Sequence, residues 1–203
     1  MSFPWPLVRR IYDRRAPYYD VLVQSLALGR DLGYRRKAVE ALRAEPGHRL
    51  LDVGCGTGRN FPLLAKAGLR DFTGCDLSSR SLAIARRRGA KPAQGDAERL
   101  PFRDGAFDRV LCTYVLTSVA DWRRGLEELV RVTRPGGRIV LTDDRLPPGW
   151  FLGPGPMLRL MRTDGWKDAH RDIENEMKKV LRNVELKYLH FRMIYLISGD
   201  RPA

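Results

Sequence analysis

The densest chemistry in the chain lies in Leu51-Asp52-Val53-Gly54-Cys55-Gly56-Thr57-Gly58-Arg59-Asn60. A short apolar run there leads into a Gly-x-Gly-x-Gly turn and then into a helix-forming run. Glycines let a backbone turn tightly and let a ligand approach the main chain. A helix that follows such a turn presents free N–H groups and the positive end of its dipole to an anion. The spacing is one residue shorter than the Gly-x-Gly-x-x-Gly of dinucleotide sites. Asp52, just before the turn, repels a pyrophosphate but can accept from an ammonium. A ligand with both a carboxylate and an ammonium therefore suits this loop. Asp76 ends the next apolar run, where an acid in a doubly wound fold takes ribose hydroxyls. Asp96, in Gly95-Asp96-Ala97-Glu98, ends the third and can accept from an adenine amino group. One line of strand ends thus offers partners for an amino acid, a ribose and an adenine.

Alternating elements must hold these residues in line. Strands are expected over 49–53, 71–75, 91–95, 107–114 and 138–142. Helices are expected over 59–67 and 79–88, the second capped by Ser78. A further helix, capped by Asp121, has Trp122, Leu126, Leu129 and Val130 as its apolar face. This alternation implies right-handed crossovers and a parallel sheet covered on both faces. Near the end, Val184–Tyr188 alternates strictly and Met193–Ile197 is apolar, so the two are expected to pair as a hairpin at the sheet edge. The expected architecture is α/β, a doubly wound, seven-stranded, mostly parallel sheet with a C-terminal antiparallel hairpin and N-terminal helices. The 203 residues suit a single domain. It divides into a helical cap (1–45), a ligand-binding core (46–145), a substrate or lid segment (146–180) and the edge hairpin (181–203).

Asp52-x-Gly54-x-Gly56-x-Gly58, Asp76, Gly95-Asp96-Ala97-Glu98-x-Leu100-Pro101-Phe102 and Arg131-Val132-x-Arg134-Pro135-Gly136-Gly137 together resemble the motifs of the class I S-adenosylmethionine-dependent methyltransferases. The resemblance covers residues 45–145 and implies a Rossmann-like fold. It also implies S-adenosyl-L-methionine as cofactor, S-adenosyl-L-homocysteine as product, and no metal. The cofactor-binding residues it implies are Asp52, Gly54, Cys55, Gly56, Gly58, Asp76, Leu77, Asp96, Ala97 and Thr113. Methyl transfer is an in-line displacement that needs alignment and a water-poor site. Tyr12-x-x-x-Ala16-Pro17-x-Tyr19-Asp20 is similar to the N-terminal motif of ubiquinone and menaquinone ring methyltransferases and of bacterial phosphatidylethanolamine N-methyltransferases. In those enzymes the motif closes over the cofactor. By that match Tyr12 and Tyr19 face the sulfonium or the methionine end, where a cation over an aromatic ring contributes about 0.5–2 kcal/mol. The quinone enzymes carry an Asn three residues beyond Tyr-Asp and a His-Arg pair farther on. This chain has Val23 and Asp31-Leu32 instead, so the phospholipid amine and the quinone ring both stand as acceptors.

The formal charge is +13, from 37 Lys and Arg against 24 Asp and Glu, and it favours anionic partners. Nucleic acid is disfavoured. Base methyltransferases commonly carry a polar residue, two prolines and an aromatic after the fourth strand, where this chain reads Cys112-Thr113-Tyr114-Val115-Leu116. An anionic membrane surface suits the start of the chain. There Leu7, Val8, Ile11 and Tyr12 share one helical face, and Arg9, Arg10, Arg14 and Arg15 the other. A helix packed on the domain with solvated arginines accounts for the pattern equally well. Trp150, Phe151, Leu152, Met157, Leu158 and Leu160 suit a lid or a second membrane contact.

Tyr19, Asp143 and Tyr114 are the catalytic candidates, with Asp144 and His170 behind them. Cys55, Cys75 and Cys112 read as reduced thiols, and zinc is disfavoured without Cys-x-x-Cys. No run of about 18 apolar residues can span a membrane, and the start lacks a secretory apolar core. The expected location is cytoplasmic, with peripheral contact at the inner membrane face. The alternatives are a methyltransferase of a soluble metabolite and an S-adenosylmethionine-binding protein without catalysis. Oligomeric state is not legible. If Asp76 takes the ribose, Asp76→Ala should weaken S-adenosylhomocysteine binding by about 1–3 kcal/mol, because the ribose hydroxyls lose their partner; calorimetric titration showing unchanged affinity would remove that assignment.

Overall fold

Strands covered on both faces need apolar side chains at successive positions, and β1 (Leu50–Val53) is buried at each of its four residues. In this computed structural model the described residues are 9, 10, 12–14, 16, 18, 29–89, 91–144 and 172–203. Tyr19, His170, the apolar segment over 147–161 and Leu7, Val8, Ile11 and Arg15 of the basic start lie outside them.

β1 pairs in parallel with β2 (Phe72–Asp76), which pairs with β3 (Ala93–Gln94). On its other side β1 pairs in parallel with β4 (Phe107–Thr113), and β4 with β5 (Thr133–Asp144). β6 (Arg182–Leu189) and β7 (Ile194–Asp200) are antiparallel to each other, and β7 is antiparallel to β5. The seven-stranded order is β3-β2-β1-β4-β5-β7-β6. The expected sheet and hairpin are present, with β6 at the edge.

Five helices cover the sheet among the described residues: α1 (Asp31–Ala41), α2 (Phe61–Lys66), α3 (Ser79–Arg86), α4 (Trp122–Val132) and α5 (Ile173–Val180). Ser78 Oγ accepts from Ser81 N at 3.0 Å, and Asp121 Oδ1 from Arg124 N at 3.1 Å, which sets the starts of α3 and α4. Successive strand residues face opposite ways. Leu51, Val110, Ile139, Leu141 and Ile197 join α4 and α5 in one core, while Leu50, Leu111, Val140 and Leu196 join α1, α2 and α3 in the other.

Three boundaries differ from expectation. β3 keeps only Ala93–Gln94 of 91–95, because Pro92 has no N–H to give a ladder. β5 starts at Thr133, pairing it with Phe107 before a register shift. In α4 the core stripe takes Gly125 and Val132, whereas Val130 is half-buried.

The glycine turn depends on one aromatic ring. Phe61, fully buried, stacks at 5.3 Å on Phe72, and its ring occupies the space a Cβ would need at both Gly58 and Gly74. Phe61→Ala should therefore cost about 3–5 kcal/mol, read from the urea midpoint; a loss under about 1 kcal/mol would show that the turn does not depend on this ring.

Candidate functional site

Open α/β sheets bind ligands outside the carboxyl ends of their strands, where strand order switches. Here β1 lies between β2 and β4, and a cavity of about 360 Å³ opens beyond their ends, a size usual for small-molecule sites. Its walls include Gly54, Cys55, Gly56 and Thr57 from the turn after β1, Asp76 and Leu77 after β2, and Asp96 and Ala97 after β3. Thr113 and Tyr114 close it from β4, and Tyr12 from the N-terminal segment.

Local geometry follows from a few contacts. Gly54 has a φ of 63° and lies so close to the Val115 side chain that a Cβ would collide with it. Gly56 N donates to Asp76 Oδ2 and Ser78 N to Asp76 Oδ1, each at 2.8 Å. Two backbone amides thus hold the Asp76 carboxylate, whose remaining lone pairs can accept from a ligand. Burial pushes the Asp76 carboxyl up, and the same amides oppose that shift. Asp96 Oδ1 accepts from Glu98 N at 2.9 Å, which orients it at the rim. The N-terminal segment is fastened at both sides of the opening. Tyr12 Oη donates to Ser118 Oγ at 2.9 Å, while Asp13 Oδ1 accepts from Ser78 Oγ at 2.6 Å and Arg80 N at 3.2 Å. Carboxylates at two strand ends, exposed turn amides and an aromatic hydroxyl fit a zwitterionic amino-acid nucleoside.

Two of the expected ligand contacts are not in the cavity wall. Asp52 shares its side of the sheet with Leu50, is completely buried, and accepts from Asn60 Nδ2 through both oxygens at 3.0 Å. It braces Asn60 from behind the cavity wall, and the structure brings no open face of its carboxylate into the wall. Gly58 also stands back from the wall, and its glycine requirement comes from the Phe61 ring and a φ of 81°. Cys55 does reach the cavity, but burial raises its thiol pKa well above the usual range.

The larger omission of the sequence reading is a buried network. Arg35 Nε donates to Asp31 Oδ1 and Oδ2 at 3.0 and 2.9 Å, and Arg35 Nη1 to Thr113 Oγ1 at 2.8 Å and Asn60 Oδ1 at 3.2 Å. Arg59 joins the same Asp31 at 2.9 Å. Only the i, i+4 spacing of Asp31 and Arg35 signals any of this locally. Asp13 and Ser118 were likewise missed, since both contacts are long-range.

The catalytic candidates separate. Asp143 is completely buried; it accepts from Thr117 Oγ1 at 2.7 Å, Thr117 N at 3.0 Å and Asp144 N at 2.9 Å. It lies outside the cavity wall and holds the turn after β4, so the structure does not bring it together with Tyr114 in the wall. Tyr114 adopts a φ of 61°, strained for a bulky residue, and its N donates to Thr142 O at 2.7 Å. Its hydroxyl is buried with no hydrogen-bond partner among the described residues, and the Arg35 guanidinium lies 5.0 Å from its ring centroid. Burial raises the Tyr114 hydroxyl pKa, with Arg35 opposing. Asp144 alternates to the Arg35 side; burial, then Asp143 and Asp31, push its carboxyl up to about 8. No cluster of three or more His, Cys, Asp or Glu side chains able to hold a metal occurs among the described residues.

These shifts set a pH dependence. Burial pushes the Asp52 carboxyl up to about 7, with Asn60 and Arg35 opposing. In the unfolded chain a carboxyl titrates near about 3.9. Ionised Asp52 and Asp144 therefore oppose folding in full above pH 8, and that opposition shrinks steadily as pH falls from 8 and 7 towards about 4. At Asp108, burial is outweighed by the Arg49 amide and Arg134; at Asp200, by Asn183 and Arg138. Those two carboxyls titrate below the usual range, so their stabilisation persists until pH falls below about 4. The melting temperature of the ligand-free protein should rise from pH 8.5 to pH 5, and Asp144→Asn should flatten the rise; a melting temperature that falls over this interval would contradict the assignment.

A family model described as a methyltransferase domain matches residues 51–141. A demethylmenaquinone methyltransferase of Beutenbergia cavernae is 43% identical over 143 residues, 70% of this chain and 59% of that protein. The chain thus spans under two thirds of the length of this curated relative. Among solved structures, the cyclase SpnF superposes with a TM-score of 0.79 at 20% identity, covering 100% of this chain and 98% of the other. A chain from the complex of the Haloferax volcanii Trm112 methyltransferase activator with a methyltransferase gives 0.77 at 18% identity, covering 95% and 98%. The two likenesses show the fold, and their different titles illustrate that this fold alone does not set a reaction. Residues 51–141 thus match a methyltransferase domain, and the sheet order and glycine turn over that stretch are those that the resemblance to the class I S-adenosylmethionine-dependent methyltransferases implies.

Proposed function

We propose that this protein transfers a methyl group from S-adenosylmethionine to a ring carbon of a demethylated menaquinone in its reduced, quinol form. The observation that carries this reading is the 43% identity to a demethylmenaquinone methyltransferase over 70% of the chain. Of the two lipid acceptors the sequence left open, it favours the quinone ring.

When bound, S-adenosylmethionine supplies an electrophilic methyl group and keeps the electron pair of the broken S–C bond as S-adenosylhomocysteine. The residues of the cavity account for its binding. Asp76, held by the Gly56 and Ser78 amides, accepts from the ribose hydroxyls. Asp96 and Ala97 take the adenine, and the turn from Gly54 to Thr57 offers its amides to the amino-acid end. Tyr12, tied to Ser118, covers the opening and keeps water out.

An electrophilic methyl requires an electron-rich acceptor, and a quinone ring carbon is electron-poor. The quinol supplies the electron pair of the new C–C bond, and the ring proton at that carbon is then lost. Tyr114 meets the acceptor side of this chemistry, since its partnerless hydroxyl can donate to a quinol oxygen. The ring proton passes to water; Asp144, at the end of β5 and outside the cavity wall, is coupled electrostatically to Tyr114 and Arg35.

The test is incubation with methyl-labelled S-adenosylmethionine and demethylmenaquinol in detergent. Label is expected in the quinone fraction; label in phospholipid or in a soluble metabolite, or none, overturns the reading. Tyr114→Phe should lower kcat about tenfold, the effect of one lost hydrogen bond, with S-adenosylhomocysteine affinity unchanged.

A further inference from the structure

The basic start of the chain meets a second basic run in the folded protein. From residue 77 to residue 95 the chain carries no acid but Arg80, Arg86, Arg87, Arg88 and Lys91. Arg80, Ala83 and Arg87 recur at helical spacing along α3, and all three are exposed, as are Arg86 and Lys91. In the N-terminal segment Arg10 and Arg14 are exposed one helical turn apart, while Tyr12 and Asp13 turn inward to the domain.

Asp13 joins the two runs. Its carboxylate accepts from Ser78 Oγ and Arg80 N at the start of α3 and lies 3.6 Å from Arg9 Nε. This acid is therefore engaged in holding the segment against the helix. The N-terminal segment and its arginines are thereby set against the start of α3 and Arg80, next to the cavity that Tyr12 lines, and Arg86, Arg87 and Lys91 continue the positive charge along and beyond the helix. Tyr18, a little farther along the segment, is 74% exposed. An aromatic ring with a polar tip suits the headgroup level of a bilayer.

We propose that Arg10, Arg14, Arg80, Arg86, Arg87 and Lys91 form a docking face for an anionic lipid bilayer, which brings the cavity rim to the membrane. The proposal deepens the lipophilic-acceptor reading and rests on it for the choice of a bilayer over other polyanions. Clustered cations gain from the negative surface potential of a leaflet, and the gain is screened by salt.

The experiment is sedimentation with vesicles of phosphatidylglycerol and phosphatidylcholine, against phosphatidylcholine alone. Binding is expected to the anionic vesicles only and to fall steeply as salt is raised. Arg10→Glu/Arg14→Glu/Arg80→Glu/Arg87→Glu should lower the bound fraction at least tenfold, since each cation near the surface contributes about fivefold. Arg86→Gln/Arg87→Gln/Lys91→Gln is the milder control and should lower it less. Unchanged melting temperature and S-adenosylhomocysteine affinity establish that both variants are folded. Equal binding by wild type and the glutamate variant, equal binding to neutral vesicles, or preference for RNA over anionic vesicles overturns the docking face. Methyl transfer to demethylmenaquinol in detergent separates the two ideas. Transfer without vesicle binding removes the docking face alone, and vesicle binding without transfer removes the acceptor reading.

Discussion

A guanidinium buried in a protein must meet acceptors on every side, and Arg35 imposes that demand where β1 and β4 end. It is 5% exposed and reaches Asp31, Asn60 and Thr113. Asn60 in turn holds both oxygens of Asp52, and Asp31 takes Arg59 as well. The placement of α1, the exit of the glycine turn into α2 and the end of β4 are therefore one electrostatic unit. Removing one partner of such a buried set costs about 3–5 kcal/mol because it strands the other charges. The cavity takes its shape from this unit: Arg35, Arg59 and Thr113 line it, while Asp31, Asn60 and Asp52 hold them from behind.

The same dry surroundings shape the chemistry. A low local dielectric strengthens each completed hydrogen bond and penalises each unpaired charge. That is why the carboxyls of Asp52 and Asp144 are pushed up towards neutrality. It is also why the partnerless Tyr114 hydroxyl is informative: most buried polar groups in native structures are satisfied, and this one lies in a cavity wall on a backbone held at positive φ. Strain and an unmet hydrogen bond together set this residue apart from the rest of the cavity wall.

The N-terminal segment connects this interior to the outside. Tyr12 reaches the turn after β4, and Asp13 the start of α3, so the segment spans the cavity opening and carries its exposed arginines with it. Charge that is spread evenly in the sequence becomes grouped at one face. A net charge of +13 does not choose between nucleic acid and lipid, and the exposed arginines of the segment lie on the side of the chain that borders the cavity opening.

The order of elements, the cofactor turn and the strand-end acids were legible in the sequence because each is written locally. Period-two and helical patterns, Ser78 and Asp121 as caps, and the turn ending at Gly58 depend on near neighbours. Asp52 and Asp143 stand apart from the cavity wall because position at a strand end does not say which way a side chain turns. Strand alternation sends Asp52 towards Asn60 and Asp143 towards Thr117, leaving Asp76 and Asp96 at the cavity. Arg35 and Asp13 left almost no trace because their partners lie far away in sequence. The sequence by itself determined the doubly wound sheet and the class of ligand its glycine turn accepts. Only the tertiary structure decided which acids face that ligand, which are spent on buried cations and where the surplus arginines gather, because burial and pairing are settled by neighbours that only folding supplies.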